Sequence, residues 1–142
     1  MTINITFSEF KPNLVSWGVT NKCNLNCRYC YRGATKNALA NELTTDEGVK
    51  LLDDLRSVGT NFVILSGGEP LTRNDIFELA TYGSNIGLRM LLASNGTLIS
   101  KDTAKKIRKA GIEVVAINLE SIKPEIHDGL KGMSGAFERT LK

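Results

Sequence analysis

The sequence predicts an α/β fold built on a parallel sheet, and three observations predict it. Four short apolar runs recur, at Leu14–Thr20, Asn61–Ser66, Leu88–Ala93 and Glu113–Leu119. They lack alternation, the mark of strands buried on both faces of a parallel sheet. Helical patterns separate them, so a β-α order repeats four times with right-handed parallel crossovers. Finally, a polar or glycine-rich cluster follows every run. Parallel α/β folds build their sites at such strand ends.

Taken in order, Ile3–Phe7 is a candidate extra edge strand, and Leu14–Thr20 is the first of the main set. Thr44 and Glu47 fit a capping box, Val49, Leu51, Leu52 and Leu55 supply an apolar face, and Gly59 stops that helix. Asn74–Tyr82 carries Ile76, Phe77, Leu79 and Ala80 at helical spacing. Ser100 caps a helix running to Ala110, with Gly111 behind it, and a last helix starts near Ser134 and reaches Lys142. No linker or low-complexity segment interrupts the pattern, so residues 1–142 read as a single domain.

A content of 42% hydrophobic and 23% charged residues is that of a soluble globular chain able to bury a core. Its longest apolar stretches are strand-length, which excludes a helical membrane span. The N-terminus alternates apolar and polar residues without the basic start and long apolar run of a signal peptide. A cytoplasmic setting is expected, where thiols stay reduced. The net charge of +3 is slight. Lys101, Lys105, Lys106, Arg108 and Lys109 read as a solvated helix face, so neither nucleic acid nor membrane is an expected partner.

Cys23, Cys27 and Cys30 lie within eight residues, and the chain has no other cysteine. Thiolates so close together can face one metal centre. Structural zinc and electron-transfer iron–sulfur sites usually take four protein ligands. Three cysteines therefore point to a cluster with one iron left open. A disulfide would strand a reactive thiol, while zinc with the remote His127 as fourth ligand stays open.

Gly67-Gly68-Glu69-Pro70 follows the second run. Two glycines let the backbone approach a ligand, and Glu69 then offers a carboxylate to a cation. Ser94-Asn95-Gly96-Thr97 follows the third run, where Asn-Gly is a sufficient reason for a turn. Asn118 and Glu120 close the fourth run, and Asn118 can hydrogen-bond a ligand. Leu25 and Tyr29 can give a cluster its apolar shell, while Asn24, Asn26 and Arg28 read as solvent-facing or loop-bonding.

Cys-Asn-Leu-Asn-Cys-Arg-Tyr-Cys followed by Gly-Gly-Glu-Pro resembles the radical S-adenosylmethionine (SAM) enzymes, and the likeness runs from about Pro12 to Lys142. The resemblance implies that Cys23, Cys27 and Cys30 hold a [4Fe–4S] cluster. Its open iron would chelate the amino and carboxylate groups of SAM. An electron from the cluster would cleave the sulfonium, giving a 5′-deoxyadenosyl radical that abstracts hydrogen from a substrate. By the same resemblance Tyr29 packs near the adenine, and Gly67, Gly68 and Glu69 bind the amino group. Ser94 becomes a polar SAM contact, and Asn118 stands where relatives carry a serine contacting ribose or carboxylate.

His127-Asp128, Lys131-Gly132 and Gly135–Arg139 also have family character. His127, in a charged loop, reads as structural or solvated, and Arg139 either reaches the SAM carboxylate or pairs on the surface. No residue is assigned to substrate chemistry. Lys11–Trp17 and Cys30-Tyr31 look most like enzymes modifying tetrapyrroles or peptides, with the heme and heme d1 branch first and the peptide-modifying and molybdenum-cofactor branches next. An external electron donor of flavodoxin or ferredoxin type is implied. The family barrel has about six β/α units and this chain supplies about four, so a partial TIM-type (β/α) barrel is expected. The chain would be a piece of a longer protein or a short relative, and its unpaired last strand predicts a homodimer. The alternative from another class is a non-catalytic cluster- and SAM-binding fragment or assembly module.

Overall fold

A computed structural model describes residues 11–142. The candidate strand Ile3–Phe7 lies outside the described residues. Four strands, β1 (Leu14–Thr20), β2 (Phe62–Gly67), β3 (Arg89–Ser94) and β4 (Ile112–Ile117), form a fully parallel sheet in the order β1-β2-β3-β4. Helices α1 (Thr45–Ser57), α2 (Ile76–Asn85) and α3 (Lys101–Lys109) connect them, and α4 (Pro124–Lys131) and α5 (Ala136–Leu141) follow β4.

The capping box of α1 is present. Glu47 N–H donates to Thr44 Oγ1 at 3.3 Å, and Thr44 N–H donates to Glu47 Oε2 at 2.8 Å. Ser100 caps α3 by accepting from Thr103 N–H. Gly59 and Gly111 both take positive φ just beyond their helices, as C-terminal stops do.

Burial corrects one expectation. Only one face of the sheet is covered: Trp17, Val19, Val63, Leu65, Met90 and Leu92 pack against Leu52 of α1, Leu79 of α2 and Ile107 of α3. The opposite rows, Ser16-Ile64-Leu91-Val114 and Ala93-Ala116, stay partly or largely exposed. That is the wall of a barrel, with helices outside and an inner face opposite. Apolar runs without alternation arise here because the inner face is also mostly apolar.

A second correction concerns α4, which covers a segment read from sequence as a charged loop. Pro124 at its first turn and left-handed Gly132 at its end delimit it. Gly129 in its interior and its mixed charge hid the pattern. His127 on this helix is fully buried and not solvated.

Candidate cofactor site at the strand ends

The cysteine loop is closed at its base. Cys23 N–H donates to Thr35 O at 2.7 Å, and Thr35 N–H donates to Asn21 O at 3.1 Å. Within the loop Cys23 is buried, Cys27 half-buried and Cys30 exposed, and all are free thiols. Cys23 Sγ accepts from Leu25 N–H at 3.4 Å, and Cys30 Sγ from Ala34 N–H at 3.5 Å. Burial pushes the Cys23 and Cys27 thiols above their ordinary range. All three cysteines line one cavity of about 370 Å³, walled partly by Leu25, Ala116 and Ile117. Among the described residues no group of three or more His, Cys, Asp or Glu side chains already stands as an ion site.

Gly67 and Gly68 line the same cavity. A Cβ on Gly67, whose φ is 128°, would overlap Thr20 O, and one on Gly68 would overlap Lys22 O. The glycines are required by this approach: Gly68 N–H donates to Thr20 O and Glu69 N–H to Lys22 O, each at 2.8 Å. The turn after β2 is thereby stitched to the start of the cysteine loop.

Glu69 behaves differently from the sequence expectation. Its side chain is fully buried and does not line the cavity. Oε1 accepts from Ser94 Oγ–H at 2.9 Å and Leu71 N–H at 3.2 Å, and Oε2 accepts from Asn95 N–H at 2.8 Å. Burial outweighs these donors and holds its pKa above the usual carboxylate range. The carboxylate thus clamps the end of β3 beneath the cavity floor.

Ser94 and Asn118, the two polar SAM contacts that the resemblance implies, both line the cavity. The Ser94 hydroxyl is engaged on both sides, since it also accepts from Gly96 N–H at 3.1 Å. Asn24 proves to be a loop tie: its Nδ2 donates to Thr97 Oγ1 at 2.8 Å, and its Oδ1 accepts from Asn95 Nδ2 at 2.9 Å. Arg139 is exposed and lines a groove with Thr97, Leu98 and Lys142, away from the cysteine cavity.

One cluster escaped the sequence reading. Tyr29 lines the cavity, and its hydroxyl donates to Glu120 Oε1 at 2.6 Å. Asn118 Nδ2 and Lys131 Nζ donate to the same oxygen, the lysine at 3.2 Å. Partial burial, then the bond to Glu120, raise the Tyr29 hydroxyl well above its ordinary value. Chiefly the Tyr29 bond, aided by Lys131, holds Glu120 below the usual range. Glu120 N–H donates to His127 Nδ1 at 3.2 Å, fixing the imidazole inside the α4 packing. Tyr29 lies 91 residues before Glu120, so no local pattern could have joined them.

A family model described as the Radical SAM superfamily matches residues 17–142. The chain belongs to the radical SAM superfamily. An AdoMet-dependent heme synthase of Methanosarcina barkeri (strain Fusaro / DSM 804) is 48% identical over 130 residues, covering 92% of this chain and 37% of the relative. An Fe-coproporphyrin III synthase from the same organism is 42% identical, covering 97% and 34%. A pre-heme d1 synthase of Dinoroseobacter shibae is 34% identical, covering 92% and 32%. This radical SAM chain therefore spans about a third of the length of those curated relatives. Among solved structures, Streptococcus suis SuiB bound to S-adenosylmethionine superposes with a TM-score of 0.75 at 20% identity, covering 89% of this chain and 28% of that one. The sheet is a four-strand arc of the barrel type found in such radical SAM enzymes. No helix among the described residues is long and apolar enough to cross a membrane.

Proposed function

We propose that this chain forms the cluster- and SAM-binding part of an enzyme that performs radical chemistry on a tetrapyrrole. The observation that carries the reading is one cavity onto which Cys23, Cys27, Cys30, Gly67, Gly68, Ser94 and Asn118 all open. Three sulfur donors, apolar walls and amide donors to Cys23 and Cys30 suit a [4Fe–4S] cluster with one iron free for a non-protein ligand. Cluster loading would order the loop that carries the three thiols, of which Cys30 is exposed, coupling binding to folding. Once bound, such a cluster supplies the electron that cleaves the SAM sulfonium to methionine and the 5′-deoxyadenosyl radical.

The protein's own contributions are placement and exclusion. Gly67 and Gly68 bring bare backbone to the cavity wall for the SAM amino acid moiety, and Tyr29 and Asn118 stand toward its nucleoside. Glu69 serves the SAM ammonium from below, through the Ser94–Asn95 segment it clamps. A tetrapyrrole substrate is favoured over a peptide because the heme-forming relatives reach 48% and 42% identity, against 31% for a PqqA peptide cyclase of Bradyrhizobium diazoefficiens. The free thiols fit a reducing cytoplasmic setting, with an external flavodoxin- or ferredoxin-type donor. Pairing of two copies belongs to the same proposal, supported by β4, a terminal strand of the parallel sheet among the described residues.

Anaerobic reconstitution followed by SAM and dithionite tests the enzymatic reading. It predicts release of 5′-deoxyadenosine and methionine. A loaded protein that shows a cluster spectrum and leaves SAM intact would be a binding module instead.

A further inference from the structure

A buried ammonium group is costly unless its charge is matched. Lys131 is 1% exposed, ends α4, and lines the same cavity as the three cysteines. Its anionic partner, Glu120 Oε1 at 3.2 Å, is shared with the Tyr29 hydroxyl and Asn118 Nδ2. The pair is asymmetric: the lysine side chain is 2% exposed and the glutamate 23%, so the cation is the inner member. The ammonium also lies 5.9 Å from the centroid of the Tyr29 ring.

The same helix end grips the cysteine loop on both sides of Cys27. Asn26 N–H donates to Lys131 O at 3.4 Å, and Arg28 N–H donates to Leu130 O at 3.0 Å. The next residue, Gly132, has φ of 66°, and a Cβ there would overlap Asn26 O. Backbone docking therefore fixes Cys27 against the turn that carries Lys131.

We propose that Lys131 is a positioning residue for the metal centre, setting a positive charge beside Cys27 that raises the reduction potential of a thiolate-bound cluster. The inference rests on the cluster reading above. Reduction adds negative charge, and a desolvated cation nearby stabilises the reduced form, while Glu120 opposes it. The competing account makes Lys131 only a bolt that holds Glu120 and Tyr29 in place.

Redox titration of reconstituted protein, followed by electron paramagnetic resonance without SAM, separates these accounts. Parent, Lys131→Met, Lys131→Arg and Glu120→Gln are compared, with iron content and thermal melts measured on each. The expected result is a more negative midpoint in Lys131→Met, a less negative one in Glu120→Gln, and a value near the parent in Lys131→Arg. Shifts of the same sign in Lys131→Met and Glu120→Gln, or an unmoved midpoint in an iron-replete Lys131→Met, overturn the electrostatic role and leave the cluster reading standing. If Lys131→Met does not fold, Glu120→Gln decides alone: its midpoint must rise, and a fall or no change overturns the proposal. A parent that takes up no iron overturns both readings.

Discussion

Glu69 shows how far single residues could be read from sequence. Its position after two glycines and a strand was legible, because backbone crowding by Thr20 O and Lys22 O excludes side chains there. Its orientation was not, since that depends on donors from Leu71, Ser94 and Asn95, two of them on another strand's end. Glu69 therefore bears on the fold as well as on the site. Glu69→Gln would set an amide donor against one of these N–H or O–H groups. Leaving a buried donor unsatisfied costs about 1–3 kcal/mol. Denaturant unfolding of the cluster-free variant should show that loss, and parent-like stability would contradict the clamp.

At the scale of elements, strands and capped helices were legible because their signals are local. Thr44–Glu47 and Ser100–Thr103 each lie within one turn, and the structure forms both caps. The missed element, α4, has its signals split between Pro124 and Gly132, with an interior glycine between them. Its importance lies in what docks on its end, which sequence spacing cannot show. Gly132→Ala should therefore do two things. Forcing a side chain into left-handed φ against Asn26 O should cost about 1–3 kcal/mol. It should also displace the cysteine loop, so iron uptake per folded chain falls below that of the parent. Full iron uptake by a folded Gly132→Ala protein would contradict the role given to α4.

Across the whole molecule, carboxylates with opposite shifts set the pH dependence. Asp75 is held below its ordinary 3.8, first by its bond to Arg73, and Glu120 below 4.5, first by its bond to Tyr29. Groups whose folded pKa is depressed contribute stability above the unfolded value and lose it as pH falls through the folded one. Glu69 runs the other way: its raised folded pKa makes stability decline as pH rises from 4.5 through the folded value. Thermal melts against pH should thus show steep loss below about pH 4 and a shallower decline on the alkaline side of the optimum, which Glu69→Gln removes. Melting temperatures that stay flat into that acidic range would contradict the assignment. The proposed cluster, held by three cysteines on one cavity with an iron open to SAM, has a spectroscopic signature. Electron paramagnetic resonance of the reduced, reconstituted chain should show a [4Fe–4S] signal, with about four irons per chain, that changes shape when SAM is added. A chain that retains no iron, or a spectrum unchanged at saturating SAM, would contradict it.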